Sequence, residues 1–540
     1  MSSHPRDAAA TGGAPESRGA TARNAGLLAA GSLAGRALGL VREITITRLF
    51  GQSGRVSAFV VASQIPVMLH DLIVGGYVSA AFVPVLAARL EDDGRPGYGR
   101  LVSALLFAFG LILLGVATLM LWFADPIARI MAGGFARFSP ELLDETAAMV
   151  RWMTPVLWLI GMSGVLNSVL FAMDRFGWPA VANATVNVGI IAIAPLWARE
   201  HGVMALVWGL WAGHALQALI LAADLKRAVL RLFGNVFDPG LRQLFRRYLP
   251  IIASLVVSQV QVLTDRRFAS GTGLSSIAWM RTATTLQQLP LGLISFSIGL
   301  ATLPGLARSH AGARGSEFRS RTVASLGQVL LWMTPVLICM ALLAEPVVRL
   351  LFERGAFTEV DTASVLPAVR IYLIGAFCAA SDQLLNNAFY ARQNTLVPAL
   401  VGMGSVLAYF AAAFLLLDGM GYLGLVWADT AKHAVHMIVM LILVGRRGFG
   451  AWHGLAVELA PLAWRLAIGG SLCLAAVVLV RWAVGAAMSP SAGHDLVDIA
   501  LAGGVGFAVY FGCLLVLRTT ELVELAQYVK SRLPWLRSGP

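Results

Sequence analysis

The chain has 540 residues, of which 58% are hydrophobic and 13% charged, and its mean hydropathy is +0.74. A soluble protein carries about a quarter of its residues as charges, so the composition excludes an ordinary soluble enzyme. The net charge of +12 sits mostly in short loops between apolar runs and not in an aromatic-interleaved patch, which argues against a nucleic-acid partner.

Residues 1–23 are polar and rich in Ala, Gly, Ser, Thr and Pro, with no apolar core of a signal peptide. They read as a disordered cytoplasmic tail. Apolar runs long enough to span a bilayer then follow at about 25–50, 56–88, 100–123, 145–173, 179–198, 203–225, 246–268, 276–306, 322–343, 363–391, 396–417, 421–445, 463–487 and 496–517. The expected fold is an all-α integral membrane protein of about 14 transmembrane helices. Residues 24–230 and 243–447 form two six-helix lobes, helices 13 and 14 occupy 460–518, and 519–540 is an interfacial tail. The four cysteines, Cys339, Cys378, Cys473 and Cys513, lie inside apolar runs without C-x-x-C spacing. That pattern suits helix packing and not a disulfide or a metal site.

Arginine and lysine concentrate after even-numbered spans: Arg89, Arg95 and Arg100; Lys226, Arg227 and Arg231; Arg308 and Arg314; Arg446 and Arg447. This bias places those loops, and both termini, in the cytoplasm of a cell whose inner membrane holds the chain. An internal repeat supports the two lobes. Pro84 in Ala-Phe-Val-Pro answers Pro304 in Ala-Thr-Leu-Pro, and Pro126 in Ala-Asp-Pro answers Pro346 in Ala-Glu-Pro, each 220 positions on. Pro179 answers Pro398, 219 positions on. Six spans per copy is an even number, so the repeats are parallel and related by a pseudo-two-fold axis along the membrane normal, as in transporters that carry substrate between two lobes. Two caps mark helix starts: Thr358 with Asp361, and Ser139 before Pro140.

Charges in hydrocarbon cost at least about 2.5 kcal/mol each, so each needs a partner or a wet cavity. In the first span Gly31, Gly35 and Gly39 form a ridge for close helix approach. Arg42 falls on that face, and Arg36 falls on the face of Glu43. Guanidinium forks suit a pyrophosphate, whereas the structural alternative is an Arg36–Glu43 pair and a snorkelling Arg42. Span 7 aligns Ser254, Ser258, Gln261 and Asp265, and span 8 aligns Arg281, Thr285, Gln288, Gly292 and Ser295. Such stripes line a cavity or bind a neighbouring helix. Span 12 groups Asp429, Lys432, His433 and His436, either as an ion- or proton-coupling site or as a self-neutralised network. No phosphate loop, zinc helix or nucleophile elbow is present, so no catalytic residue, metal or cofactor is expected beyond a coupling ion (proton or sodium) or the membrane potential.

With these segments in place the chain resembles the MurJ/MviN lipid II flippases, within the multidrug/oligosaccharidyl-lipid/polysaccharide exporter superfamily. The likeness rests on the run Gly35-Arg36-Ala37-Leu38-Gly39-Leu40-Val41-Arg42-Glu43, on Ser79 to Pro84, and on Arg175 to Ala180 with Asn187. It rests most specifically on Arg349 to Thr358, followed by Ala388 to Thr395. The resemblance covers about residues 24–520. It implies transfer of an undecaprenyl-pyrophosphate-linked disaccharide-pentapeptide to the outer leaflet by alternating access, through a cationic cavity in contact with membrane lipids. It leaves open a role beside the cell-wall synthesis machinery. In this chain the family's acidic residue of span 2 is Ser57, its Arg-Arg pair is His70-Asp71, and its Asp-Arg of span 8 is Thr284-Thr285. Arg281, one turn earlier, is placed to restore that cation. Arg36, Arg42 and Arg281 would bind pyrophosphate, with Arg266 or Arg267 near the outer mouth. The stripes of spans 7 and 8 would meet sugar and peptide. Other readings are a flippase for a different lipid-linked oligosaccharide, a cation-coupled drug exporter, or a non-transporting scaffold of cell-wall synthesis.

Overall fold

A computed structural model describes residues 15–74, 76–226, 256, 259–312, 315–448, 452–489, 491–519 and 522. The described residues are helical with short connections. In the first lobe the elements are α1 (Pro15–Phe50), α2 (Gly54–Ile73), α3 (Gly76–Trp122), α4 (Ala124–Ala132), α5 (Pro140–Trp152), α6 (Thr154–Ala172), α7 (Gly177–His201) and α8 (Met204–Lys226). The second lobe comprises α9 (259–270), α10 (Ser276–Pro290), α11 (Phe296–Ala311), α12 (Gly315–Leu342), α13 (Ala344–Phe352), α14 (Glu359–Tyr390), α15 (Leu396–Met420) and α16 (Tyr422–Gly448). Helices α17 (Trp452–Ala487) and α18 (Ala492–Val516) follow.

Among the described residues twelve helical stretches are long and apolar enough to cross a membrane. The other two expected spans are α1, which carries Arg36, Arg42, Glu43 and Arg48, and α9, whose upstream residues lie outside the described ones. The expected tail differs in one respect: α1 begins at Pro15, inside the segment read as disordered, while residues 1–14 and 523–540 lie outside the described residues.

Two span boundaries move for local reasons. The expected span 145–173 is two helices, because Pro155 lacks the N–H an unbroken helix would need there and instead opens α6 at its first turn. The Ser139 cap therefore starts α5 and not the span, its side chain accepting from Leu142 N. The expected span 56–88 is also two helices, α2 ending at Ile73 and α3 starting at Gly76. Helix α3 turns back at Gly94, whose φ of 61° suits glycine. The second lobe bends at the equivalent place without breaking: residues 291–295 form a single π-turn between α10 and α11.

The repeat is visible in backbone detail. Helices α4 and α13 are both nine residues long and start 220 positions apart. Asp174 and Gln393, 219 positions apart, both adopt φ 56° before the next long helix. Gly202 and Gly421, also 219 apart, have φ 55° and 57° at the following turn. The Thr358–Asp361 capping box forms as expected at α14.

The lobes touch at one end of the molecule. Gln52 Nε2 donates to Thr282 Oγ1 at 2.6 Å, Ala278 N donates to Ser57 Oγ at 3.2 Å, and Gly134 N donates to Ser270 Oγ at 3.1 Å. Ala356 N donates to Arg48 O at 2.9 Å. A Cβ at Gly134 would stand 2.2 Å from Gly271 N, so the backbones meet directly. Nearer the middle of α1 the lobes meet through the Arg36 side chain, beside a cavity.

Candidate functional site

The cavity lies between the lobes, beyond these backbone contacts. It has a volume of about 380 Å³ and is lined by α1 (Gly35, Arg36, Gly39, Arg42), α7 (Asn183, Asn187) and α10 (Thr285, Gln288). The glycine ridge of α1 packs on α7: a Cβ at Gly31 would fall 2.7 Å from Ala180 Cβ. That close approach lets Asn187 Nδ2 donate to Gly35 O at 3.1 Å while its Oδ1 accepts from Arg42 Nη1 at 2.9 Å. Arg36, on the other face of α1, crosses to the second lobe and donates from Nη1 to Gln288 O at 2.9 Å. It lies directly over Gly292, where a Cβ would meet Arg36 Nε at 2.2 Å. The π-turn thus supplies a glycine where the guanidinium needs room.

Both guanidiniums rest on neutral oxygens. Neither has a carboxylate at ion-pair distance among the described residues, and Arg42 Nε is buried with no hydrogen-bond partner there. The acid next in sequence is engaged elsewhere. Glu43, 2% exposed, faces Arg281 Nε at 3.5 Å and accepts from Thr282 Oγ1 at 3.1 Å. The Arg36–Glu43 pair of the structural alternative does not form. Arg281 lies outside the cavity lining and neutralises Glu43 beside the closed end. Thr285 Oγ1 donates to Arg281 O, so the Thr285 side chain borders the cavity with its proton already given. Asn183 and the bridging role of Asn187 escaped the sequence reading, because an amide among apolar residues signals little until its partners are known.

The span 7 stripe divides. Ser254 and Ser258 lie outside the described residues, and Gln261 is half-buried on α9. Asp265 does not line the cavity. It accepts from Tyr409 Oη at 2.6 Å, with Arg266 Nη1 at 3.6 Å. Arg267 packs against Gly133 near the closed end. The span 12 group is brought together inside the second lobe: Lys432 Nζ donates to Asp429 Oδ1 at 2.6 Å, and His433 Nε2 lies 3.9 Å from Asp429 Oδ2. A residue not anticipated, Asp382 of α14, joins it, with His436 Nδ1 at 3.0 Å and His433 Nδ1 at 3.4 Å. The cavity and this cluster are therefore separate sites.

Two pseudo-equivalent helical bundles, with a cavity between them that carries two arginines, have the build of a multi-pass membrane transporter. The chain belongs to the lipid II flippase MurJ family, whose description "Lipid II flippase MurJ" it matches over residues 46–492. It is 28% identical over 510 residues to a probable lipid II flippase MurJ of Bdellovibrio bacteriovorus, covering 93% of this chain and 97% of that one. It is 26% identical over 428 residues to the lipid II flippase MurJ of Burkholderia cenocepacia, covering 77% and 82%. Its fold is similar to a solved lipid II flippase MurJ in an inward closed conformation, with TM-score 0.77, 20% identity, and 93% and 99% of the two chains covered. It is also similar to an inward-facing multidrug resistance transporter of the MATE family, with TM-score 0.66, 14% identity, and 76% and 94% covered.

Proposed function

We infer that this chain carries lipid II from the inner to the outer leaflet of the bacterial cytoplasmic membrane by alternating access of its two lobes. The observation that carries this reading is the pair Arg36 and Arg42 on one inter-lobe cavity, both held by neutral oxygens. A pyrophosphate is kept from crossing a bilayer by the cost of losing its water. Two guanidiniums with donors to spare replace that water, while the polyprenyl chain stays in lipid. No bond is made or broken. Release on the far side requires the contacts at the closed end, from Gln52–Thr282 to Ala356–Arg48, to part. The bias of basic residues toward the loops after even spans supports an orientation with that end outside and both termini in the cytoplasm.

The driving force is assigned to the second-lobe cluster. A proton or sodium ion drawn in by the membrane potential would exchange with the Lys432–Asp429 and His436–Asp382 pairs. A cationic cavity counts against export of cationic drugs.

The test is to deplete a bacterium of its own lipid II flippase, express this chain, and measure lipid II exposed on the outer leaflet. Restored exposure that is lost in an Arg36→Ala/Arg42→Ala variant is the expected result. Normal insertion without exposure would move the substrate to another lipid-linked glycan, and growth restored equally by the double variant would leave only a scaffolding role.

A further inference from the structure

Helices α12 and α14 each present one stripe to a second cavity of about 360 Å³: Thr334, Leu337, Ile338 and Ala341 on α12, and Arg370, Leu373, Ile374 and Phe377 on α14. Both stripes follow i, i+3, i+4, i+7 spacing, so each is a single helix face. The helices run antiparallel, and the top of one stripe meets the end of the other where Arg370 Nε donates to Ala341 O at 3.4 Å. From Arg370 to Phe377 the groove runs about 10 Å along α14, at 1.5 Å per residue. Leu474 of α17 forms the third wall. One turn below it α17 closes on α12, where a Cβ at Gly470 would meet Ile338 Cδ1 at 3.2 Å and Thr334 Cγ2 at 3.3 Å. Arg370 carries the one guanidinium among the lining residues, which also include Leu342, and the Thr334 hydroxyl is turned back onto Leu330 O; Arg481, at the edge, is paired to Asp498.

The repeat explains why that guanidinium is available. Arg370 corresponds to Arg151, 219 positions earlier. In the first lobe Arg151 is ion-paired to Asp125. The counterpart of Asp125 is Glu345, 220 positions on, but Glu345 is taken by Arg349 at 2.8 Å. Arg370 is left with a carbonyl oxygen and no acidic partner among the described residues. Its depth is that of the membrane interface. Arg151 is followed by Trp152, 49% exposed, and Arg481, which donates to the groove residue Leu342, is followed by Trp482, 72% exposed. Exposed tryptophan beside arginine marks the headgroup level.

We propose that this groove is a binding site for one anionic glycerophospholipid, its phosphate on Arg370 and one acyl chain along Ile374, Phe377 and Leu474. Two groups are matched at once: a guanidinium facing a phosphate at the interface, and an apolar trough directly beneath it. The site lies on the outer surface of the second lobe, away from Arg36 and Arg42, and does not depend on what the central cavity carries.

The test uses the full chain in detergent, with phosphatidylglycerol and phosphatidylethanolamine of identical acyl chains. Retained lipid is counted by native mass spectrometry. One phosphatidylglycerol held in preference to phosphatidylethanolamine is expected. Its affinity should fall about ten-fold in Arg370→Gln, the loss of one charged hydrogen-bonding partner. It should fall comparably in Ile374→Trp, which fills the trough and leaves the charge. Thermal unfolding without added lipid checks that each variant is folded, and should Arg370→Gln unfold, Ile374→Trp alone decides. Equal retention by the wild type and the folded variants, or equal retention of the two lipids, would overturn the proposal. Displacement of phosphatidylglycerol by an equimolar amount of undecaprenyl phosphate would overturn it as well, by giving the groove to a polyprenyl chain.

Discussion

Asn187 holds Arg42 in place from both sides of its amide: Oδ1 takes the guanidinium at 2.9 Å while Nδ2 is fixed on Gly35 O at 3.1 Å. The amide cannot rotate without giving up one of these bonds. The orientation of Arg42 toward the cavity is therefore set by α7 and by the glycine ridge that admits α7 to α1.

Asn187→Leu removes the acceptor and keeps the volume. Arg42 loses a hydrogen bond to a charged group, about 1.5–3 kcal/mol, and the rate of lipid II exposure is expected to fall about ten- to one-hundred-fold. Asn187→Asp keeps an acceptor but adds a carboxylate that competes with pyrophosphate for Arg42. It should also lose transport, with a smaller loss of thermal stability than Asn187→Leu, because it gives up the Nδ2 bond to Gly35 O but pairs Arg42 with a carboxylate. Equal transport by all three proteins would remove Arg42 orientation from the mechanism.

At the closed end the relevant pair is Glu43 and Arg281. Glu43 is buried, so deleting Arg281 leaves a carboxylate unpaired, a cost of about 3–5 kcal/mol. Arg281→Met is expected to lower the melting temperature, and Glu43→Gln combined with Arg281→Met to restore most of it. Transport by that stable double variant decides whether Arg281 also touches substrate. The geometry predicts that it does not, so exposure of lipid II should recover along with stability.

Gly355 joins the lobes through backbone alone. Its φ is 69°, and a Cβ there would stand 2.3 Å from Arg48 O. Gly355→Val is both strained and obstructed, so the 353–358 loop should lift from the end of α1. A cysteine placed at Gln52, which is 4% exposed, then becomes reactive to a membrane-impermeant thiol reagent added outside the cell. It should remain protected in the Gly355 background. Unchanged protection in Gly355→Val would show that the ends are held together by the other contacts.

Much of this was legible beforehand for identifiable reasons. Helix number followed from apolar run length, because the bilayer imposes a minimum span. The repeat followed from prolines, two pairs of which stand in the first turn of equivalent helices in the two lobes. Arg36 and Arg42 could be placed on different faces of α1 because helix phase is fixed over six residues. Partners across helices could not be read this way. Glu43 shares a face with Arg36 in sequence and yet meets Arg281, because the crossing of α1 and α10 decides which charges come within reach. Asp382 was missed because no other charge follows Arg370 on α14, and only the packing of α14 against α16 brings it to His433 and His436. The break before α6 was missed because a proline inside an apolar run can bend a membrane helix without ending it.

The Lys432–Asp429 pair separates two readings of the second-lobe cluster. Lys432→Met alone leaves Asp429 without its 2.6 Å partner and should lower the melting temperature, whereas Lys432→Met with Asp429→Leu replaces a half-buried ion pair inside a membrane helix by apolar side chains and should restore most of the wild-type stability. The single variant therefore says nothing about function, because unfolding would mask it. The double variant is informative. If the cluster only neutralises itself, a stable Lys432→Met/Asp429→Leu protein exposes lipid II at the wild-type rate. If the cluster exchanges an ion during the cycle, the same protein is stable and still binds substrate, but exposure no longer responds when the membrane potential is collapsed. The second result is expected here, because Asp382 draws two histidines onto the same buried group and gives it more titratable partners than a structural pair requires.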